Sequence, residues 1–108
     1  MVQKRSLLNQ LSPSILDSKI IELISRRRRQ IMVHSAIYYR LSTSLITDNQ
    51  FDKWAYELVD LQKKYPKESC KADLYQEFKE WDGTTGFNLN FNSFLGLAEY
   101  LIRICEER

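Results

Sequence analysis

The sequence has little that bends or breaks a chain, with three glycines and two prolines in 108 residues. Sheets and Rossmann-type loops use more turn residues than that, so the scarcity favours helices. Two cysteines, Cys70 and Cys105, are too few and too far apart for a zinc motif or a disulfide framework. The single histidine, His34, has no serine or cysteine that the sequence assigns to it as a catalytic partner, which argues against a catalytic dyad. No apolar run approaches the length of a membrane span, so no membrane contact is expected. Nothing near the N-terminus reads as a secretory signal, and a reducing cytoplasmic setting is the expectation.

What is present fits one globular domain over residues 1–108. Hydrophobic residues are 44% of the chain, enough for a modest core and against disorder as the default. The formal net charge of +2 is uninformative, but its distribution is not. Up to Arg40 the bases are Lys4, Arg5, Lys19, Arg26, Arg27, Arg28, Arg29 and Arg40, opposed only by Asp17 and Glu22. The remainder leans acidic, and the asymmetry hints at an anionic partner for the first part.

Hydrophobic spacing places the helices. Residues 1–11 are weakly patterned and read as a frayed or short helical start. Ser12 and Pro13 suit a helix opening, since serine caps and proline at the first position loses no needed hydrogen bond. Ile15, Leu16, Ile20, Ile21, Leu23, Ile24, Ile31, Met32, Ala36, Ile37 and Leu41 then recur at near-helical spacing. This predicts one long helix, or two with a bend near the arginine run. Ser42-Thr43-Ser44 reads as a polar turn. Thr47 with Gln50 fits a capping box, and Phe51, Trp54, Ala55, Leu58 and Leu61 make the stripe of a second helix that Pro66 stops. A link of about five residues predicts an antiparallel hairpin. Ser69 is expected to open a third helix through Leu74, Phe78 and Trp81. A last helix is expected from about Asn92 to Glu106, with Phe94, Leu95, Leu97, Ala98, Leu101, Ile102 and Cys105 facing inward. Residues 87–91 alternate like a strand, for which no partner is found. The fold class is therefore all-α, a small helical bundle built around an antiparallel helical hairpin.

The run Tyr38-Tyr39, then Asp48-Asn49-Gln50-Phe51-Asp52, then Leu58, Leu61 and Tyr65-Pro66 resembles the first subdomain of bacterial NAD-dependent DNA ligases. The resemblance covers roughly residues 30 to 68. In that family a helix ends in Tyr-His, Asp-x-x-Tyr-Asp opens the next helix, and His-Pro closes it. The resemblance implies a hairpin that closes over the nicotinamide mononucleotide half of NAD. It assigns ligand binding to Tyr38, Tyr39, Asp48, Phe51 and Asp52. Two of these depart from the pattern: Tyr39 stands for histidine, and Phe51 lacks the family's tyrosine hydroxyl. No cofactor is required, and NAD or nicotinamide mononucleotide is the ligand the resemblance suggests. It also suggests a stand-alone product of bacteriophage or prophage type, in a bacterial or phage-infected cell.

The residues themselves support both this and plainer readings. Asp48, Phe51 and Asp52 share one helix face, and a hairpin brings Tyr38 and Tyr39 near them. Aromatic rings with carboxylates suit a planar cation. Equally, Asp48 favours a helix start, Phe51 suits a core, and Tyr38 can pack its ring and wet its hydroxyl.

Catalytic parts are missing. The family's adenylation lysine stands in Lys-x-Asp-Gly, and Lys71-Ala72-Asp73-Leu74 lacks the glycine, so it reads as coincidence and no enzyme is expected. Arg26, Arg27, Arg28 and Arg29 sweep most of a helix circumference, so at least one lies near the apolar stripe, Arg27 and Arg28 being best placed. Such a side chain packs its stem and snorkels, or the helix projects beyond the bundle. The run is either a solvated basic stretch or a contact for phosphate in a nucleotide or nucleic acid. Residues 82–86 read as a tight turn, lacking the rest of a phosphate loop. The expected role is a non-catalytic module that binds a nicotinamide nucleotide or a protein partner in DNA metabolism, the alternative being electrostatic nucleic-acid binding through the arginines.

Overall fold

The structure is a computed structural model that describes residues 13–106. The readings for residues 1–11 and for the Ser12 cap lie outside that range.

The all-helical reading holds, with no strand among the described residues. Helix α1, Pro13–Tyr39, is a single unbroken element and runs straight through the four arginines. Neither glycine nor proline interrupts it after Pro13, and arginine is a good helix former. At 27 residues it is about 40 Å long. Ile24, Ile31, Met32, Val33, Ala36 and Ile37 are all buried along it. They do not share one face, because the other elements pack around α1 on several sides.

At its end Ser42 takes a left-handed conformation, with φ 54°. The amides of Leu41 and Thr43 donate back to the carbonyls of Ala36 and Ile37. The link to α2, Asp48–Lys64, covers residues 40–47, longer than expected. Thr47 caps α2, its hydroxyl accepting from the Gln50 amide at 3.1 Å. Arg28 meets Gln62, Arg27 meets Glu57 and His34 meets Trp54, so position falls along α2 as it rises along α1. The two helices are therefore the antiparallel hairpin.

Pro66 does more than end α2. It sits in the first turn of a short helix α3, Pro66–Lys71, where its missing N–H costs nothing. The third helix expected from Ser69 to Trp81 is not continuous. Ala72 is extended and Leu74 is left-handed at φ 64°, so a single turn α4, Tyr75–Phe78, stands apart. A bulky residue at positive φ is rare, and nothing in the local sequence announces it. A 3-10 turn, Asn92–Phe94, leads into α5, Leu95–Glu106, close to the expected last helix. Ala98 is its buried residue, whereas Leu97 and Cys105 are exposed, contrary to expectation. Residues 87–91 form no strand; they cross as a loop that sinks Leu89 and Phe91 into the core.

The arginine run resolves into four different situations. Arg28 is 0% exposed. Its Nη1 donates to the carbonyls of Ser69, Ala72 and Asp73 at 3.1, 3.3 and 2.9 Å. Its Nη2 donates to Ser69 Oγ at 2.6 Å and its Nε to Gln62 Oε1 at 2.9 Å. A cation thus closes the C-terminal end of α3, where carbonyls lack helical partners. Burial pushes this guanidinium below its ordinary value, while Cys70, Tyr75, Glu77 and Asp73 push it back up. Ser25 Oγ accepts the Asp73 amide at 3.0 Å and Arg29 reaches the Asp73 carboxylate at 3.0 Å. Three side chains of α1 therefore tie down residues 69–73.

The snorkelling expected of Arg28 is corrected: its head is enclosed, because backbone carbonyls satisfy it there. Arg27 lies near Glu57, Nε to Oε2 3.3 Å, and its Nη1 donates to Gln30 at 2.7 Å. Arg26 pairs with Glu22 at 2.6 Å, both about half exposed. Replacing Arg26 with alanine is expected to cost only about 0.3–0.5 kcal/mol in urea unfolding, as for exposed i,i+4 pairs. A loss several times larger would show that the run acts as one unit.

Candidate functional site

The end of α1 and the start of α2 converge as the sequence implied. Between them lies an open cleft of about 310 Å³. Tyr38, Tyr39, Asp48, Phe51 and Asp52, all five residues singled out by the resemblance, line it. Geometry explains why. Tyr38 and Tyr39 close the last turn of α1, and Asp48, Phe51 and Asp52 occupy one face of the first turns of α2. The link 44–47 runs along the cleft between them.

Tyr38 is 56% exposed, with its ring edge-on to Tyr39 at 4.9 Å between centroids. Tyr39 is more fixed. It meets Phe87 edge-on at 5.4 Å and lies parallel to Phe91 at 6.4 Å. Its hydroxyl shares a 2.8 Å hydrogen bond with Thr85 Oγ1. Asp48 and Asp52 are exposed, and neither has an ion-pair or hydrogen-bond partner among the described residues.

A third wall comes from the C-terminal part of the chain. Thr84 and Thr85 line the cleft. The loop that carries them is the tight turn expected, with Gly83 at φ 86°. The Asp82 carboxylate accepts from the Thr84 amide and hydroxyl at 3.0 and 2.7 Å, which lowers its pKa. Trp81 Nε1 donates to the Thr85 carbonyl at 2.7 Å, and the Phe87 amide donates to Thr85 Oγ1 at 3.1 Å. Gly86 then presses on α1 so closely that a Cβ there would lie 1.9 Å from Ser35 Oγ. Only glycine lets the loop approach this near.

Two further residues line the cleft that the sequence reading did not assign to it, His34 and Ser35. Ser35 is 1% exposed, and neither its Oγ nor buried His34 Nδ1 has a hydrogen-bond partner. Both atoms are closed to solvent, Ser35 Oγ by the close approach of Gly86, so the packing around α1 leaves them unpaired. The visible signal was a serine inside the apolar stretch Ile31 to Ile37.

The His34 ring lies 5.5 Å from Trp54, and burial holds its pKa below the ordinary value of 6.5. The unfolded chain therefore takes up the proton first as pH falls, and stability drops with it below about pH 6.5. His34→Gln is expected to flatten the fall in urea midpoint between about pH 7.5 and about pH 5.5. Parallel profiles for the two proteins would contradict a half-buried, neutral His34.

The arginine run lies elsewhere. All four side chains have protein partners, and Arg28 is enclosed, so it is out of reach of an external phosphate. Arg26 and Arg29, in contrast, keep about half of their side-chain surface exposed beside their carboxylate partners. Lys71, the first residue of the ligase-like tetrad, is exposed at the end of α3. Leu74 takes the left-handed conformation there, so the tetrad ends in a turn.

Comparison with known proteins finds DNA ligases similar to part of the chain. A DNA ligase of Thermotoga petrophila is 33% identical over 57 residues, 53% of this chain and 8% of the ligase. One from Thermosipho africanus is 39% identical over 49 residues, 45% of this chain and 7% of the ligase. One from Methylococcus capsulatus is 34% identical over 50 residues, 46% of this chain and 7% of the ligase. About half of the chain is similar to a small part of these ligases. The ligase-related part corresponds to less than a tenth of those enzymes' length. No family model and no solved structure matches the chain. No described helix is long and apolar enough to cross a membrane, and no cluster of potential metal ligands occurs among the described residues.

Proposed function

We propose that this ligase-related chain is a non-catalytic module of DNA metabolism, of bacterial or phage origin, that grips the nicotinamide half of a nicotinamide nucleotide. The observation that carries the reading is the cleft itself. It gathers at the hairpin turn the five residues that the resemblance singled out.

The residues fit such a group. Tyr38 offers an exposed ring for stacking on a pyridinium. Asp48 and Asp52 supply negative charge beside it. The volume of about 310 Å³ lies at the low end of the ~300–1,000 Å³ of small-molecule sites. Binding needs no chemistry from this chain, and no activated nucleophile lines the cleft.

Titration with nicotinamide mononucleotide and NAD, followed by NMR, tests this. At millimolar ligand the resonances of Tyr38, His34 and Asp52 are expected to shift. An unchanged spectrum would reject ligand binding and leave the cleft as a scaffold feature. Self-adenylation of the chain with NAD would refute the non-catalytic half of the proposal.

A further inference from the structure

The charge on the cleft is one-sided. Asp48 and Asp52 line it unpaired, and no lysine or arginine does. A phosphate would need donors, and most hydroxyls at the cleft are already committed. Tyr39 and Thr85 bond each other. Thr84 donates to Asp82, and Ser44 donates to the Ile46 carbonyl. Phe51 has no hydroxyl. The N-terminus of α2, where an anion would be favoured, is capped by Thr47 and carries Asp48 in its first turn. Half-exposed Tyr38 lines the same cleft, so it offers an aromatic face beside the acids.

We infer that the cleft selects the cationic N-ribosylpyridinium without its phosphate, nicotinamide riboside, over the phosphorylated mononucleotide. This rests on the nicotinamide reading above and narrows it. The riboside brings one positive charge to two carboxylates. The mononucleotide adds a dianion to a cleft that has two negative charges and no base to meet it. Ring and ribose contacts are the same for both, so the phosphate alone sets the difference.

The test compares nicotinamide riboside, nicotinamide mononucleotide and uncharged nicotinamide in NMR titrations at low salt. The riboside is expected to bind about tenfold more tightly than the mononucleotide, a gap that shrinks with added salt. Asp48→Asn with Asp52→Asn is expected to weaken the riboside and bring the two affinities together. Both carboxylates are exposed and unpaired, so the variant should fold, which circular dichroism checks. Equal or tighter binding of the mononucleotide would overturn the preference while leaving the nicotinamide reading intact. No shift at Tyr38 with any of the three would overturn both.

Discussion

Arg28→Ala is expected to lose about 3–5 kcal/mol of unfolding free energy, a large share of the ~5–15 kcal/mol that a native domain holds. The side chain is fully enclosed and makes five hydrogen bonds. Alanine would leave a void and strand the carbonyls of Ser69, Ala72 and Asp73 without donors. Each stranded acceptor costs about 1–3 kcal/mol before relaxation. Its guanidinium also lies 6.0 Å from the Phe78 ring centroid. Lysine would restore the charge but not the planar fork, so Arg28→Lys should recover only part of the loss. Urea unfolding followed by circular dichroism measures both. A cost for Arg28→Ala as small as that expected for Arg26→Ala would mean that Arg28 is not the tie between α1 and residues 69–73.

Gly86→Ala is expected to cost about 1–3 kcal/mol and to weaken ligand binding, because it forces the third wall off α1. The added carbon would lie 1.9 Å from Ser35 Oγ and 2.8 Å from Ser35 Cβ, distances that real atoms do not share. Ser35 cannot swing far inside a helix packed on several sides. Removing the obstacle should therefore rescue the loop. Ser35→Gly combined with Gly86→Ala is expected to be more stable than the sum of the single changes by about 1–2 kcal/mol, despite the cost of a helical glycine. Additive effects in that double-mutant cycle would show that loop and helix are not in contact.

The elements legible in the sequence are those whose causes are local. Apolar spacing and the lack of breakers after Pro13 gave α1, and the Thr47 cap with the stripe from Phe51 to Leu61 gave α2. Once both are antiparallel, Tyr38 and Asp52 must meet, so this side of the cleft could be foreseen. The other side could not. Thr84, Thr85 and Gly86 reach Ser35 only because Trp81, Thr85 and the core residues Leu89 and Phe91 steer the loop back onto α1. Such packing leaves no periodic trace. Helix geometry puts Arg28 at the apolar stripe but does not reveal that its head is enclosed, since three of its acceptors are backbone carbonyls more than forty residues away. Leu74 broke the expected third helix through a left-handed conformation that leucine does not advertise.

The most direct test places a ligand proton against a side-chain proton. With nicotinamide riboside or its mononucleotide bound, intermolecular nuclear Overhauser effects should join the pyridinium ring to the Tyr38 ring. Asp52 and His34 signals should move in the same titration. Ligand-induced changes that bypass the hairpin turn, or Overhauser contacts confined to a distant face such as α5, would contradict the claim that this turn grips the nicotinamide ring.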